Sequence, residues 1–289
     1  MTTEHIGKLI SQATDKLITE LEAGKSEQLR AYLAAIGRFY RYSLGNVLLI
    51  WSQCPTATHV AGFCTWRQLG RQVRRGEHGI RILAPVLRRL PAENREADED
   101  KVVAFRPAYI FDVMQTSSID GHDRTFPEFA TVKGEPRVYR DRLHGFLRAR
   151  GITLVFSRLP GMVQGMSVGG KIVVRDDLTP AEQFSTTVHE AAHELLHHGE
   201  EANGVAKATR EVEAESISFV VSQVIGLDCN TAAADYIKLY DGKKETLLAS
   251  LERIRSVAGE IIEAILDDAD ADEGSRQFTP EGSLAAATA

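Results

Sequence analysis

The sequence predicts an α+β chain built as two modules. Three observations predict it. Residues 189–193 read His-Glu-Ala-Ala-His inside a helical stretch, with strand-like segments before it and an acidic helix after it. Residues 1–150 hold 23 Lys+Arg against 17 Asp+Glu, whereas 151–289 hold 11 against 23, so the charge changes sign along the chain. Helical periodicity over the first forty or so residues gives way to strand-like runs between Arg81 and Val113.

Composition sets the bounds. The chain has 289 residues, 43% hydrophobic and 26% charged, enough for one large or two ordinary globular domains. No apolar run approaches the roughly 18 residues of a membrane span, and no apolar signal segment opens the chain. Cys54, Cys64 and Cys229 are odd in number and lack C-x-x-C spacing. A disulfide framework and a cysteine metal site are not expected, and a cytoplasmic location without membrane contact is.

Residues 1 to about 40 read as helices: Leu9, Ile10, Leu17, Ile18 and Leu21 recur at helical spacing, and Leu29, Leu33 and Ile36 resume it after Gly24. Ser43 is placed to cap a core helix through 47–51 that ends before Pro55. Phe39, Tyr40, Tyr42 and Trp51 have two readings: hydrophobic core, or rings that stack unpaired bases with Arg38 and Arg41 nearby for phosphates. Residues 65–71 read as a short helix, 73–80 as a turn and 81–86 as a strand. Between Gly62 and Pro91 lie seven Arg and one acid. That pattern fits a groove tracking a nucleic-acid backbone, with Trp66 as stacking platform, and it also fits an ordinary solvated basic face. Residues 91–101 read as a mobile loop between two strands of the same module, and 102–105 and 108–113 as strands. The first module is 1–116, and 117–135 is a turn-rich linker.

The second module is 136–266. Residues 139–150 form a helix burying Leu143, Phe146 and Leu147, and strands at 152–156 and 170–174 flank a glycine-punctuated hairpin. Thr179, Pro180 and Glu182 open the next helix with capping-box spacing. Residues 208–221 and two or three helices over 226–266 follow, and the acidic tail 267–289 is expected to be disordered.

The chemistry centres on the helix that Thr179 caps. His189 and His193 are four apart, so both imidazoles share one face and can reach one metal ion. Glu190 sits beside the first ligand, placed to take a proton from a water that Zn2+ acidifies. A sheet ahead of such a helix is the order a zincin needs, because an edge strand can hold an extended peptide across the metal. Glu211 lies 18 residues after His193, room for the helix to end and a second helix to return. Glu211 and Glu215 share a face and Glu213 points elsewhere. A carboxylate from that face completes a His2Glu set with one position open. With Glu211 as ligand, Glu215 is left to hydrogen-bond a ligating imidazole. The reverse assignment stays open. His197 and His198, one turn further on, either extend the metal face or cap the helix end.

Taken together, Tyr42-Ser43-x-x-Asn46-x-Leu48-Leu49-Ile50, Trp66, Gly70-Arg71-x-Val73-Arg74-x-Gly76-Glu77-x-Gly79-Ile80 and Phe111-Asp112-Val113-x-Gln115-Thr116 resemble the single-stranded-DNA-binding domain of ArdC-type antirestriction proteins. His189-Glu190-x-x-His193 followed by Glu211-x-x-Ala214 resembles the metallopeptidase domain of ArdC and of the ImmA/IrrE family. One departure is Glu215, where ImmA/IrrE members often carry Asn. The resemblance covers about residues 35 to 225. It implies an intracellular bacterial or mobile-element protein with a gluzincin-like domain, binding Zn2+ or another divalent ion such as Mn2+ through His189, His193 and Glu211. It implies that the basic module binds single-stranded DNA, for which the candidate contacts are Arg41, Asn46, Trp66, Arg67, Arg71, Arg74, Arg75 and Arg81, and that the second module has an unnamed protein or peptide substrate. Two other functions fit the same residues: a non-catalytic DNA-protecting protein with a structural metal, and an ImmA-like regulatory protease that cleaves a repressor.

Overall fold

Asn46 and Gln53, seven residues apart on one helix, each clasp the backbone of one strand, and this pairing builds the first half of the fold. Asn46 donates to Leu83 O at 2.8 Å and accepts from Leu83 N at 2.9 Å; Gln53 donates to Arg81 O at 2.9 Å and accepts from Arg81 N at 3.1 Å. The computed structural model describes residues 3–23, 26–88, 101–119, 135–197, 205–227 and 243–266. Contacts divide these into two units, the first holding 3–16 and 41–119 and the second the remainder.

In order, the elements of the first unit are the start of α1 (Thr3–Glu22), α3 (Leu44–Gln53), β1 (Val60–Gly62), α4 (Phe63–Gln68), β2 (Arg71–Val73), β3 (Ile80–Arg88), β4 (Lys101–Asp112), a 3-10 turn (Val113–Gln115) and β5 (Thr116–Ser118). Strands β1-β4-β3 form an antiparallel sheet in that order, and β2 pairs with β5. Ser43 caps α3 by accepting from Asn46 N. Ile80, Ile82, Ala84 and Ile110 are buried on the sheet's inner face, while Phe105 and Tyr109 stand exposed on the outer one. Alternation along β3 and β4 is the reason: neighbouring side chains leave a strand on opposite faces. Asp112 ends β4 by accepting from Thr58 N, His59 N and Met114 N, with Gln115 completing a capping box.

The second unit holds α2 (Ser26–Arg38), α5 (Arg137–Ala149), β6 (Thr153–Ser157), β7 (Gly165–Ser167), β8 (Lys171–Arg175), α6 (Pro180–Leu196), α7 (Lys207–Val224) and α8 (Lys244–Leu266). Its sheet has the order β6-β8-β7, with β6 parallel and β7 antiparallel to β8. Phe184, Val188, Ala191 and Ala192 of α6 meet a core that includes Ile172, Val174, Ile217 and Val220. Helix α2 packs on α7 and α8. Gly37 permits it, since a Cβ there would lie 2.9 Å from Val224 Cγ2.

Three expectations differ from the fold. Residues 17–40, read with the first module, lie in the second unit, because the buried face of α2 (Leu29, Tyr32, Leu33, Ile36) is spent on α7 and α8. The hairpin read between 152 and 174 is instead a parallel pair with β7 added at the edge; three residues with one glycine carry too little periodicity to register as a strand. Residues 117 and 118, read as linker, pair with β2. The acidic tail, His198, most of the loop read at 91–101 and most of the linker lie outside the described residues. No helix among the described residues is long and apolar enough to cross a membrane.

Candidate metal centre

Helix α6 is fixed at its start by the capping box. Glu182 accepts from Thr179 N at 2.8 Å and from Thr179 Oγ1 at 2.6 Å, while Thr179 Oγ1 accepts from Glu182 N. Those hydrogen bonds hold the Glu182 carboxyl below its ordinary range. Three turns later the helix presents two imidazoles to α7.

His189 Nε2 and His193 Nε2 lie 3.2 Å apart, and Glu211 Oε2 lies 3.7 Å from the first and 3.6 Å from the second. A point equidistant from the three atoms is about 2.0 Å from each, the bond length of zinc to imidazole or carboxylate. The donors therefore fit one small divalent ion. They are also the one group of this kind among the described residues. Glu215 Oε2 stands 3.4 Å from His189 Nδ1, on the side of the ring away from the triangle.

Charge around the triangle favours a cation. Burial and then the neighbouring His189 push the His193 pKa down to about 4, so it is a neutral donor near pH 7. Burial also pulls on His189, but the hydrogen bond to Glu215 and the charges of Glu190, Glu215 and Glu211 outweigh it and raise its pKa. Glu190 is 8% exposed, and burial above all raises its carboxyl, as do Glu211 and Glu194.

The strand next to Glu190 is held by a second acid of the same helix. Glu194 accepts from Ser167 Oγ at 2.6 Å, Gly169 N at 3.0 Å and Gly170 N at 2.7 Å. Gly169 and Gly170 both take left-handed backbone (φ 72° and 79°), which a side chain there would resist. The clamp holds β7 against α6. Met162, Val163, Met166 and Val168 are exposed along and beside this edge strand.

Sequence reasoning missed the partners behind His193. His197 ends α6 yet is buried, with Nδ1 2.9 Å from His193 Nδ1 and Nε2 3.1 Å from Glu213 Oε2. It caps the helix and is not in the metal triangle. Glu213 is wholly buried and also accepts from Arg253 of α8. The signal was available: Ile217 and Val220, four and seven residues on, share the helix face of Glu213, and a carboxylate on that apolar face needs a partner.

The expected DNA contacts are scattered. Trp66 is 0% exposed, with its indole N–H donating to Phe111 O at 2.9 Å, so it is core and offers no stacking face. Arg71 is buried on Thr116 at 2.7 Å, and Asn46 is buried on Leu83, so both are engaged in the fold. Arg74 pairs with Glu77 at 2.8 Å, and Arg81 is half-buried beside Gln53. Arg41, Arg67 and Arg75 are exposed. Sequence reasoning passed over Phe105 and Tyr109, whose cross-strand partners are Pro85 and Arg81. The aromatic cluster is core at Phe39, Tyr42 and Trp51.

Fold and site thus define a mixed α+β protein with a His/His/Glu group sized for one divalent ion. Residues 7–113 match the N-terminal domain of anti-restriction factor ArdC. The chain also shares the fold of the antirestriction protein ArdC from plasmid R388, with a TM-score of 0.52 at 18% identity. The match covers 89% of this chain and 97% of ArdC in a metal-free crystal structure, and 90% and 98% in an Mn(II)-bound one. An uncharacterised Bacillus anthracis protein is 24% identical in an alignment 277 positions long that covers 82% of this chain and 47% of that protein. The chain therefore spans about half the length of that relative. The first part of the chain is thus similar to the N-terminal domain of ArdC, and the described fold is that of ArdC.

Proposed function

We propose that this chain is a cytoplasmic antirestriction protein with a zincin-like, metal-dependent peptidase site in its second unit and a single-stranded-DNA surface in its first. The observation that carries the peptidase reading is the donor triangle, with buried Glu190 beside it and an edge strand along it. His189, His193 and Glu211 would hold Zn2+ or, as in the R388 structure, Mn2+. A divalent ion bound there supplies Lewis acidity and brings the pKa of a coordinated water towards neutrality. Glu190 is the proton acceptor, and its carboxyl returns the proton to the leaving amine. The β7 edge offers backbone groups to an extended peptide, with Met166 and Val168 as apolar contacts. Glu215 holds His189 by Nδ1.

The test is Glu190→Gln. Metal content is expected to persist while cleavage of a peptide library falls by at least about 100-fold. Undiminished cleavage overturns the role of Glu190. Full protection against restriction in that variant favours a DNA-protecting protein whose metal is structural.

For the DNA half, the outer face of β3 and β4 presents Phe105 and Tyr109, with Arg81 opposite Tyr109 and exposed Arg67 and Arg75 in the same unit. Aromatic faces among guanidinium groups suit unpaired bases and their phosphates.

A further inference from the structure

His193 has one ring nitrogen in the donor triangle and the other on His197, and the first fixes the direction of the second. A ligating nitrogen must present a lone pair, so with an ion bound at Nε2 the neutral ring carries its proton on Nδ1. That Nδ1–H donates to His197 Nδ1 at 2.9 Å. His197 Nδ1 is then an acceptor, and its own proton lies on Nε2, 3.1 Å from Glu213 Oε2. Glu213 is wholly buried, and its other oxygen accepts from Arg253 Nε at 3.0 Å. A carboxylate without exposure stays ionised when a cation is paired with it, and Arg253 is that cation. Each imidazole hydrogen in the row points away from the triangle and meets an acceptor, and Arg253 donates to the far side of Glu213.

We propose that His197 and Glu213, backed by Arg253, are positioning residues of the metal centre. They hold His193 in its Nδ1–H form with Nε2 turned to the ion. This inference rests on the metal-centre reading above. The two ligand imidazoles are then held by different means. His189 has the half-buried carboxylate of Glu215 directly at Nδ1. On its Nδ1 side, His193 reaches a carboxylate through a second imidazole, inside the core and tied to α8. The relay accounts for a buried histidine at the end of α6 and for an acid on the apolar face of α7. It also makes Arg253, three residues beyond Ser250 on α8, part of what sets ion affinity.

Substitution separates this role from packing. Glutamine at 197 offers one acceptor and one donor at nearly the spacing of the two ring nitrogens, whereas phenylalanine fills the space with neither. Full-length wild type, His193→Ala, His197→Phe, His197→Gln and Glu213→Gln are titrated with Mn2+, reading free ion by electron paramagnetic resonance. Ring-nitrogen NMR of the Zn2+-loaded wild type reports the His193 tautomer. His197→Phe and Glu213→Gln are expected to weaken Mn2+ binding by about 10- to 100-fold. His197→Gln is expected to recover most of that loss, and His193 to carry its proton on Nδ1. Wild-type affinity in His197→Phe overturns the relay alone, as does equal weakening by Phe and Gln or a proton on His193 Nε2. A wild type that takes no Mn2+, or binding undiminished in His193→Ala, overturns the metal-centre reading and the relay with it.

Discussion

A Cβ on Gly165 would lie 2.8 Å from Glu190 Oε1 and 2.6 Å from Thr186 Cγ2. Glycine at 165 is therefore what lets β7 run this close to α6. Gly165→Ala is expected to destabilise the chain by about 1–3 kcal/mol, since the strand or the Glu190 side chain must shift. Urea denaturation measures it, and adding Thr186→Ser, which removes the nearest methyl, should return part of the loss. An unchanged midpoint would mean that β7 does not press on α6.

Ion binding should appear as stability. An ion that binds the folded chain alone stabilises it by about 2.7 kcal/mol at 100 times its dissociation constant, several degrees of melting temperature. Zn2+ or Mn2+ is expected to raise the wild-type Tm, chelation to reverse it, and His193→Ala and Glu211→Ala to remove it. Glu215→Ala should reduce the shift without removing it, because Glu215 stands behind His189 at 3.4 Å. The opposite ranking of Glu211 and Glu215 would exchange their roles.

The metal triangle was legible because a helix converts spacing into geometry. Four residues place His189 and His193 on one face, and the same spacing on α7 aligns Glu211 with Glu215. The fold's use of α2 was not legible. Its apolar stripe shows that a face is buried, not whether α3 or α7 covers it, and Gly37 alone hints at a close neighbour. Trp66 suits a stacking platform in sequence and is core in the fold, for the same reason. An aromatic among arginines looks alike in sequence whether its indole N–H meets solvent or, as here, the carbonyl of Phe111. Period-two alternation against Ile110 does mark Phe105 and Tyr109 as outward-facing aromatics of this strand.

That contrast gives a prediction for the DNA surface. Phe105→Ala and Tyr109→Ala are each expected to weaken binding of a labelled single-stranded oligonucleotide by about 1–3 kcal/mol, with little change in Tm. Trp66→Phe should do the reverse: it leaves the Phe111 carbonyl without its donor in the core, costing about 1–3 kcal/mol of stability, and spares affinity. Arg75→Ala should lower the slope of log affinity against log salt by about one phosphate contact. Fluorescence anisotropy at several salt concentrations measures all three. Undiminished affinity in the Phe105 and Tyr109 variants would remove this face from the DNA.

The cap of α6 yields a pH dependence whose sign is fixed. Glu182 is held below the ordinary carboxyl range by hydrogen bonds from the Thr179 side chain and backbone. A depressed folded-state pKa contributes stability that is present above the unfolded value of about 4.3 and lost as pH falls through the lower folded value. Thr179→Ala is expected to cost about 1 kcal/mol near neutral pH. The gap between wild type and Glu182→Gln should narrow between about pH 5 and about pH 3, followed by urea denaturation. A gap that stays constant on acidification would assign the cap to neutral hydrogen bonds alone. Neither variant should change ion affinity in the folded chain, because the cap sets where α6 starts while His189 and His193 are placed by the helix itself and by Glu215 and His197 behind them.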